Sequence, residues 1–319
     1  MKLKDLFSLA VKLGMENDPR SKAELDELLK KQKKAYDKME EKEKRYFDES
    51  FLTNPYHDSR ILHANDLNDE IKTILVGIDM EEPQLHLAVE LNRRGEKIDL
   101  VLGHHPEGRA LLGLGNEMLL IPDILEDCGI PINIAEKVNH PRKAEVDRGV
   151  NPINFIRPIH TAQLLGINCM NTHTISDNMV YQYLKRKVSK GKYRTVGDVV
   201  DDLMKEKEYQ MAAEMGNPPI VVCGSKESRA GKVVASEITG GTSGSEDMYE
   251  KMSQAGVGTI IAMHMQEKHR KEAEKHHLNV IVAGHMASDS LGMNLLLDQF
   301  EKKGVKKVIS CGMFRVKRK

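Results

Sequence analysis

The chain has 319 residues, enough to bury a substantial core as one large or two ordinary domains of roughly 100–200 residues each. Its 48 basic and 48 acidic residues cancel, so no net field draws nucleic acid or an anionic membrane. With no Trp and 4% aromatics, stacking platforms for single-stranded nucleic acid are not expected either. No apolar run approaches the ~20 residues of a membrane helix, and the N-terminus lacks a signal-peptide core. Cys128, Cys169, Cys223 and Cys311 are scattered with no CxxC pair, which fits reduced core thiols, so a cytoplasmic location is expected.

In chain order, residues 21–46 are densely charged but keep Leu25, Leu28, Leu29, Tyr36 and Met39 as a thin apolar stripe at helical spacing. This predicts a helix that either docks a partner or, the favoured reading, lies solvated across its own domain. Asn54-Pro55 breaks it, and His57, Asp58 and Arg60 are read as ordinary loop residues in preference to supports of a site. Strand 73–78, helix 84–93 and strand 100–104 follow. Between 106 and 166 the pattern predicts a helix near 122–128, a polar turn-rich segment at 140–150 and a helix near 160–165. A strand reaches residue 170, and long helices are expected at 178–188 and 196–214. A second alternation then has strands at 220–223, 232–238, 259–263, 280–283 and 307–310, with helices at 246–255, 266–277 and 291–303. The expectation is an α/β class, layered α/β/α, of two similar halves with a mostly parallel sheet and an N-terminal helical extension. Its divisions are an extension at 1–70, a first half at 71–190, a helical connector at 191–217 and a second half at 218–319.

Three clusters of histidine and aspartate stand at the C-terminal ends of predicted strands, where open α/β sheets build sites. They are His104-His105-Pro106, His173 with Asp177, and His285 with Asp289. His104 and His105 can share a cavity only where the strand is ending, and Pro106 favours that by holding His105 extended. His-x-x-x-Asp places both side chains on one face if the chain is helical. In the competing view the histidines are structural and each aspartate simply caps the following helix. Imidazole-rich sites of this kind suit zinc, iron, manganese, cobalt or nickel better than magnesium or calcium.

Other patterns are weaker. Gly224 to Lys232 lacks the spacing and the Ser/Thr of a phosphate loop. Gly240-Gly241-Thr242-Ser243-Gly244-Ser245 is read either as an anion-binding loop or as a strand-to-helix turn capped by Ser245. His269, His276 and His277 fall on a Lys/Glu-rich helix and read as solvated.

Taken in order, Gly103-His104-His105-Pro106, His173-Thr174-x-x-Asp177 and Gly284-His285-x-x-x-Asp289 resemble the NIF-three-like proteins, known also as GTP cyclohydrolase type-two homologues, over roughly residues 70–319. The resemblance implies two divalent metal ions held by His104, His105, Asp177, His285 and Asp289, with His173 on a family histidine. Asp289 stands where the family usually has glutamate, and Ala262-Met263-His264 replaces a common Thr-Gly-Glu, which makes His264 an extra ligand, a proton shuttle or a substituted neighbour. The 105–173 gap is longer than usual. The expected activity is metal-dependent hydrolysis, cyclohydrolase-like on a small-molecule substrate of purine-nucleotide type, with His173 or His264 moving the proton. Alternatives are a two-metal phosphoesterase and a non-catalytic metal-binding regulator or metal-insertion partner. The resemblance also implies a homo-oligomer, often a hexamer.

Overall fold

The computed structural model describes residues 1–318. Among the described residues, nine strands form two sheets. The first contains β1 (Ser59–His63), β2 (Thr73–Gly77), β3 (Leu100–Gly103), β4 (Cys169–Thr172) and β9 (Lys307–Ser310), in the order β1-β4-β3-β2-β9. β1 runs antiparallel at one edge and the remaining pairs are parallel. The second contains β5 (Ile220–Cys223), β6 (Lys232–Glu237), β7 (Val257–Ala262) and β8 (Asn279–Val282), in the order β5-β8-β7-β6, with β5 antiparallel. β9, expected to continue the second alternation, crosses back to pair with β2. Every residue of β2 is buried, as a central parallel strand requires.

Helices His173–Lys190 and Leu3–Glu16 share a core with helix His285–Lys302 and the first sheet, through Leu6, Ile175, Met179, Met293 and Phe300. Other faces of the first and third of these helices, through Val180, Leu184 and Leu291, pack with Ile261 and Ile281 of the second sheet. The two central helices are therefore clamped between sheets, and apolar residues ring them instead of forming one stripe. They also touch closely: a Cβ on Gly292 would lie 2.5 Å from the Ser176 carbonyl oxygen. That glycine lets the two aspartate-bearing helices approach.

Several local expectations are corrected. Residues 140–150 are not turns but the end of helix Ile132–Val150, which tolerates Pro141. The segment 21–46 divides into helices Lys22–Lys38 and Glu41–Lys44, and only Leu25 of the longer one is buried. The helix expected at 196–214 breaks into Val196–Leu203 and Lys207–Glu214. Strand β1 and the N-terminal helix Leu3–Glu16, whose Leu3, Leu6 and Ala10 are fully buried, lacked a clear sequence signal. Among the described residues, no helix is long and apolar enough to cross a membrane.

Candidate metal centre

All three clusters converge at strand ends. β3 stops at Gly103, and the next two backbone N–H groups, of His104 and His105, both donate to the Ile78 carbonyl at 3.0 Å. The chain thus leaves strand geometry at the histidine pair, which allows both rings onto one side. After β4 the chain turns directly into helix His173–Lys190, and after β8 Gly284 takes a φ of 107° that admits helix His285–Lys302. His173 and His285 each begin a helix, with Asp177 and Asp289 one turn on. Neither aspartate caps its helix: the N-cap positions are Thr172 and Gly284. The capping explanation therefore fails.

Asp289 sits at the middle. Its Oδ1 lies 3.5 Å from His104 Nε2, while its Oδ2 lies 3.6 Å from His105 Nε2 and 3.4 Å from His285 Nε2. Asp177 Oδ1 is 3.5 Å from the same His104 nitrogen. His104 Nε2, Asp177 Oδ1 and both Asp289 oxygens are buried with no hydrogen-bond partner in the protein. Unpartnered buried polar atoms are costly at roughly 1–3 kcal/mol each, and four in one spot need a reason.

Groups around the rim fix which nitrogens face inward. Ser176 Oγ donates to the Thr172 carbonyl, so His104 Nδ1, 3.0 Å away, donates to Ser176 and leaves Nε2 as a free acceptor. His105 Nδ1 donates to Asp79 Oδ1 at 2.6 Å, and His173 Nδ1 to Asp58 Oδ2 at 2.7 Å. Thr174 Oγ1 also donates to Asp58 Oδ2, at 2.7 Å. Such outer partners set the tautomer and orientation of ligating histidines. Asp58, a loop residue by its sequence, is fully buried and holds His173, and the motif spacing points to neither Asp79 nor Ser176. Asp79 carried one usable signal, a carboxylate just beyond a buried parallel strand.

Electrostatics point the same way. Burial and the charge of neighbouring His173 and His105 hold His104 well below the usual imidazole range, and burial with His264 and His105 lowers His285 to about 3. Both imidazoles are thus neutral at pH 7, the ligating form. Burial raises Asp177 to about 7, and burial with Asp177 raises Asp289 well above the carboxylate range. Burial opposes a charge on His173 too, but Asp177 and Asp58 outweigh it and raise it to about 9. A divalent cation would relieve these strained carboxylates without needing a proton.

Three overlapping groups have donor atoms all within 4.8 Å of one another and could hold a metal ion: His104/His105/His173, His105/His285/Asp289 and His104/Asp177/Asp289. The donor set, nitrogen and carboxylate oxygen with orphaned lone pairs, fits a transition metal or zinc. His264 is outside these groups, but its ring lies 4.9 Å from that of His285. Both line a cavity of about 50 Å³ with His173 and Asp177, and no Lys or Arg is among its lining residues. The glycine loop forms another wall. Its Gly240 and Gly241 have φ of 107° and 80° and pack on Ile121 and on Leu114 with Glu117. The helix after it, Met248–Gln254, is short and its N-cap position is Asp247, so Ser245 is not the cap. His269 is buried against Tyr249, not solvated.

No family model matches the sequence, and no curated protein matches it. Solved structures do. The NIF3 superfamily protein from Sphaerobacter thermophilus matches with 24% identity and a TM-score of 0.69 over 81% of this chain and 92% of that one. Reduced HcgD from Methanocaldococcus jannaschii matches with 15% identity and a TM-score of 0.51 over 85% of this chain and 97% of that one. The chain therefore shares the fold of the NIF3 superfamily protein.

Proposed function

We propose that this is a NIF-three-like protein that holds two divalent metal ions and acts as a metal-dependent hydrolase. The observation that carries the reading is Asp289, whose two buried, unpartnered oxygens face different donor groups, Oδ1 toward His104 and Oδ2 toward His105 and His285. In this reading His104 and Asp177 belong with one Asp289 oxygen, and His105 and His285 with the other. Asp289 would contribute to holding both ions from a short side chain, and one turn further on its helix crosses helix His173–Lys190 closely at Gly292. When bound, the two ions supply Lewis-acid polarisation and charge neutralisation.

The chain's own residues supply the rest. Burial lowers the His264 imidazole, so at neutral pH it can accept a proton at the cavity wall. Asp58 holds His173 by its Nδ1 and turns Nε2 toward Asp177, 3.8 Å away, so His173 orients the site and can return a proton to a leaving group. The cavity of about 50 Å³ is small beside ligand pockets of roughly 300–1,000 Å³, so the reacting end of a substrate is small and any larger part, a nucleotide included, stays outside. The same tightness supports a second reading, a non-catalytic metal-binding protein that recruits a partner. A homo-oligomer is proposed with either reading. Turnover by the metal-reconstituted protein across a panel of cyclic amides, purine nucleotides and phosphoesters tests the hydrolase reading. Cleavage abolished by His264→Ala with metal content unchanged supports it. No turnover with any member overturns it in favour of the second.

A further inference from the structure

One wall of the cavity carries polar groups that the His/Asp cluster does not use. Ser236 and Glu237 both line it, at the end of β6. Ser236 Oγ and Glu237 Oε2 are shielded from solvent and have no hydrogen-bond partner in the protein. Neighbours on a strand normally face opposite sides. Here the register against β7 shifts between Val234 and Glu237, a bulge of the kind that re-aims side chains beside sites.

The Glu237 carboxyl is fixed from behind. Tyr249 donates its hydroxyl proton to Oε1 at 2.8 Å, and His269 Nδ1, 3.1 Å from that hydroxyl, donates to the phenol oxygen. Tyr249 and His269 are buried, their rings edge-on at 5.7 Å. One carboxyl oxygen is thus committed to the protein and the other is free. Burial raises the group to about 7, so it is a full acceptor at pH 8. At this wall a ligand carboxylate or phosphate is disfavoured, because it would face the Glu237 carboxylate with no Lys or Arg among the lining residues. Ile121, Leu125, Met248 and Met263 complete an apolar lining suited to a small uncharged body.

We propose that Glu237 and Ser236 recognise an amide-type ligand in this cavity, Glu237 Oε2 accepting from its N–H and Ser236 Oγ donating to its carbonyl. The assignment rests on the metal-site reading above, since the ligand's other end reaches the His/Asp cluster. It adds a specificity determinant distinct from that cluster.

The test uses the full chain reconstituted with zinc, its zinc content measured first, and calorimetric titration at pH 8 with acetohydroxamate and with N-methylacetohydroxamate, which lacks the N–H. Wild type binds acetohydroxamate about tenfold or more tightly than the N-methyl compound, the effect expected of a hydrogen bond to a charged acceptor. In Glu237→Gln the amide oxygen stays on Tyr249 and puts an NH₂ donor where Oε2 was. That variant holds the same zinc, melts cooperatively and loses the preference. Ser236→Ala weakens both probes alike. Equal binding of the two probes by wild type, or an undiminished preference in Glu237→Gln, overturns the assignment while the metal site stands. Failure of wild type to retain zinc overturns the metal-site reading and this assignment with it.

Discussion

His173 donates through Nδ1 to Asp58 Oδ2 at 2.7 Å, joining residues 115 apart in sequence. The same Asp58 oxygen accepts from Thr174 Oγ1, so one buried carboxylate pins both the ring and the first turn of the helix that carries Asp177. Asp58→Ala leaves His173 buried beside Asp177 without its main hydrogen-bond acceptor. The expected loss is about 3 kcal/mol, in the range for breaking a buried charged pair. Asp58→Asn, which can still accept, loses less. Urea denaturation of both variants checks this, and an Asp58→Ala protein as stable as wild type would refute the role.

Asp289 separates the ligand from the structural residue. Asp289→Asn removes a charge and a second good acceptor, so it should lose at least one ion. Asp289→Glu keeps the carboxylate and should retain both ions or shift metal preference. Because Asp289 lies a full turn inside helix His285–Lys302, helix capping cannot reverse this order. Metal content of the two variants reads the order directly.

Glu237 makes stability depend on pH. Its folded value of about 7 stands above the ordinary 4.5, so the folded state holds the proton more tightly. The sign follows: the contribution is present below about 4.5 and is lost as pH rises through 7, by up to about 3 kcal/mol at ~1.4 kcal/mol per unit. Glu237→Gln lacks that loss. The stability of Glu237→Gln relative to wild type should therefore grow between pH 5 and pH 8, measured by denaturant unfolding with a chelator present throughout. A difference independent of pH would contradict the buried-carboxyl account.

The N-terminal helix Leu3–Glu16 belongs to the core and is not an appended docking element. Leu6 is fully buried among Ile175, Met293 and Phe300. Leu6→Ala should destabilise the whole protein by about 3 kcal/mol, within the usual range for such cavities. Helix Lys22–Lys38 is different: with only Leu25 buried, an exposed-face change such as Lys33→Ala should cost little. Thermal melting of the two variants distinguishes the segments.

The sequence made the site more legible than its supports. His104, His105, His173, Asp177, His285 and Asp289 each follow a strand, a period-breaking position that sequence pattern exposes. Asp58, Ser176 and Asp79 act through contacts 115, 72 and 26 residues away, which no local pattern encodes. The fold shows the same divide. Buried β2 and β3 are continuous apolar runs, whereas edge strand β1 has a polar, irregular sequence and is defined only by its pairing with β4. Helix Ile132–Val150 was hidden by Pro141 and His140, whose turn-forming composition is overridden by packing of Ala135 and Val146 into the core. His269 looked solvated because its helix is mostly charged, yet it lies on that helix's one buried face with Ala273.

Metal stoichiometry tests the central claim most directly. Elemental analysis of the natively purified protein, alongside His104→Ala, His285→Ala, their double variant and the control His276→Ala, counts ions per chain. The account predicts about two in wild type and in His276→Ala, about one fewer in each single ligand variant, and lower melting temperatures wherever metal is lost, because ligand binding is linked to folding. No metal in wild type after gentle purification, or equal metal in wild type and the double variant, would contradict it.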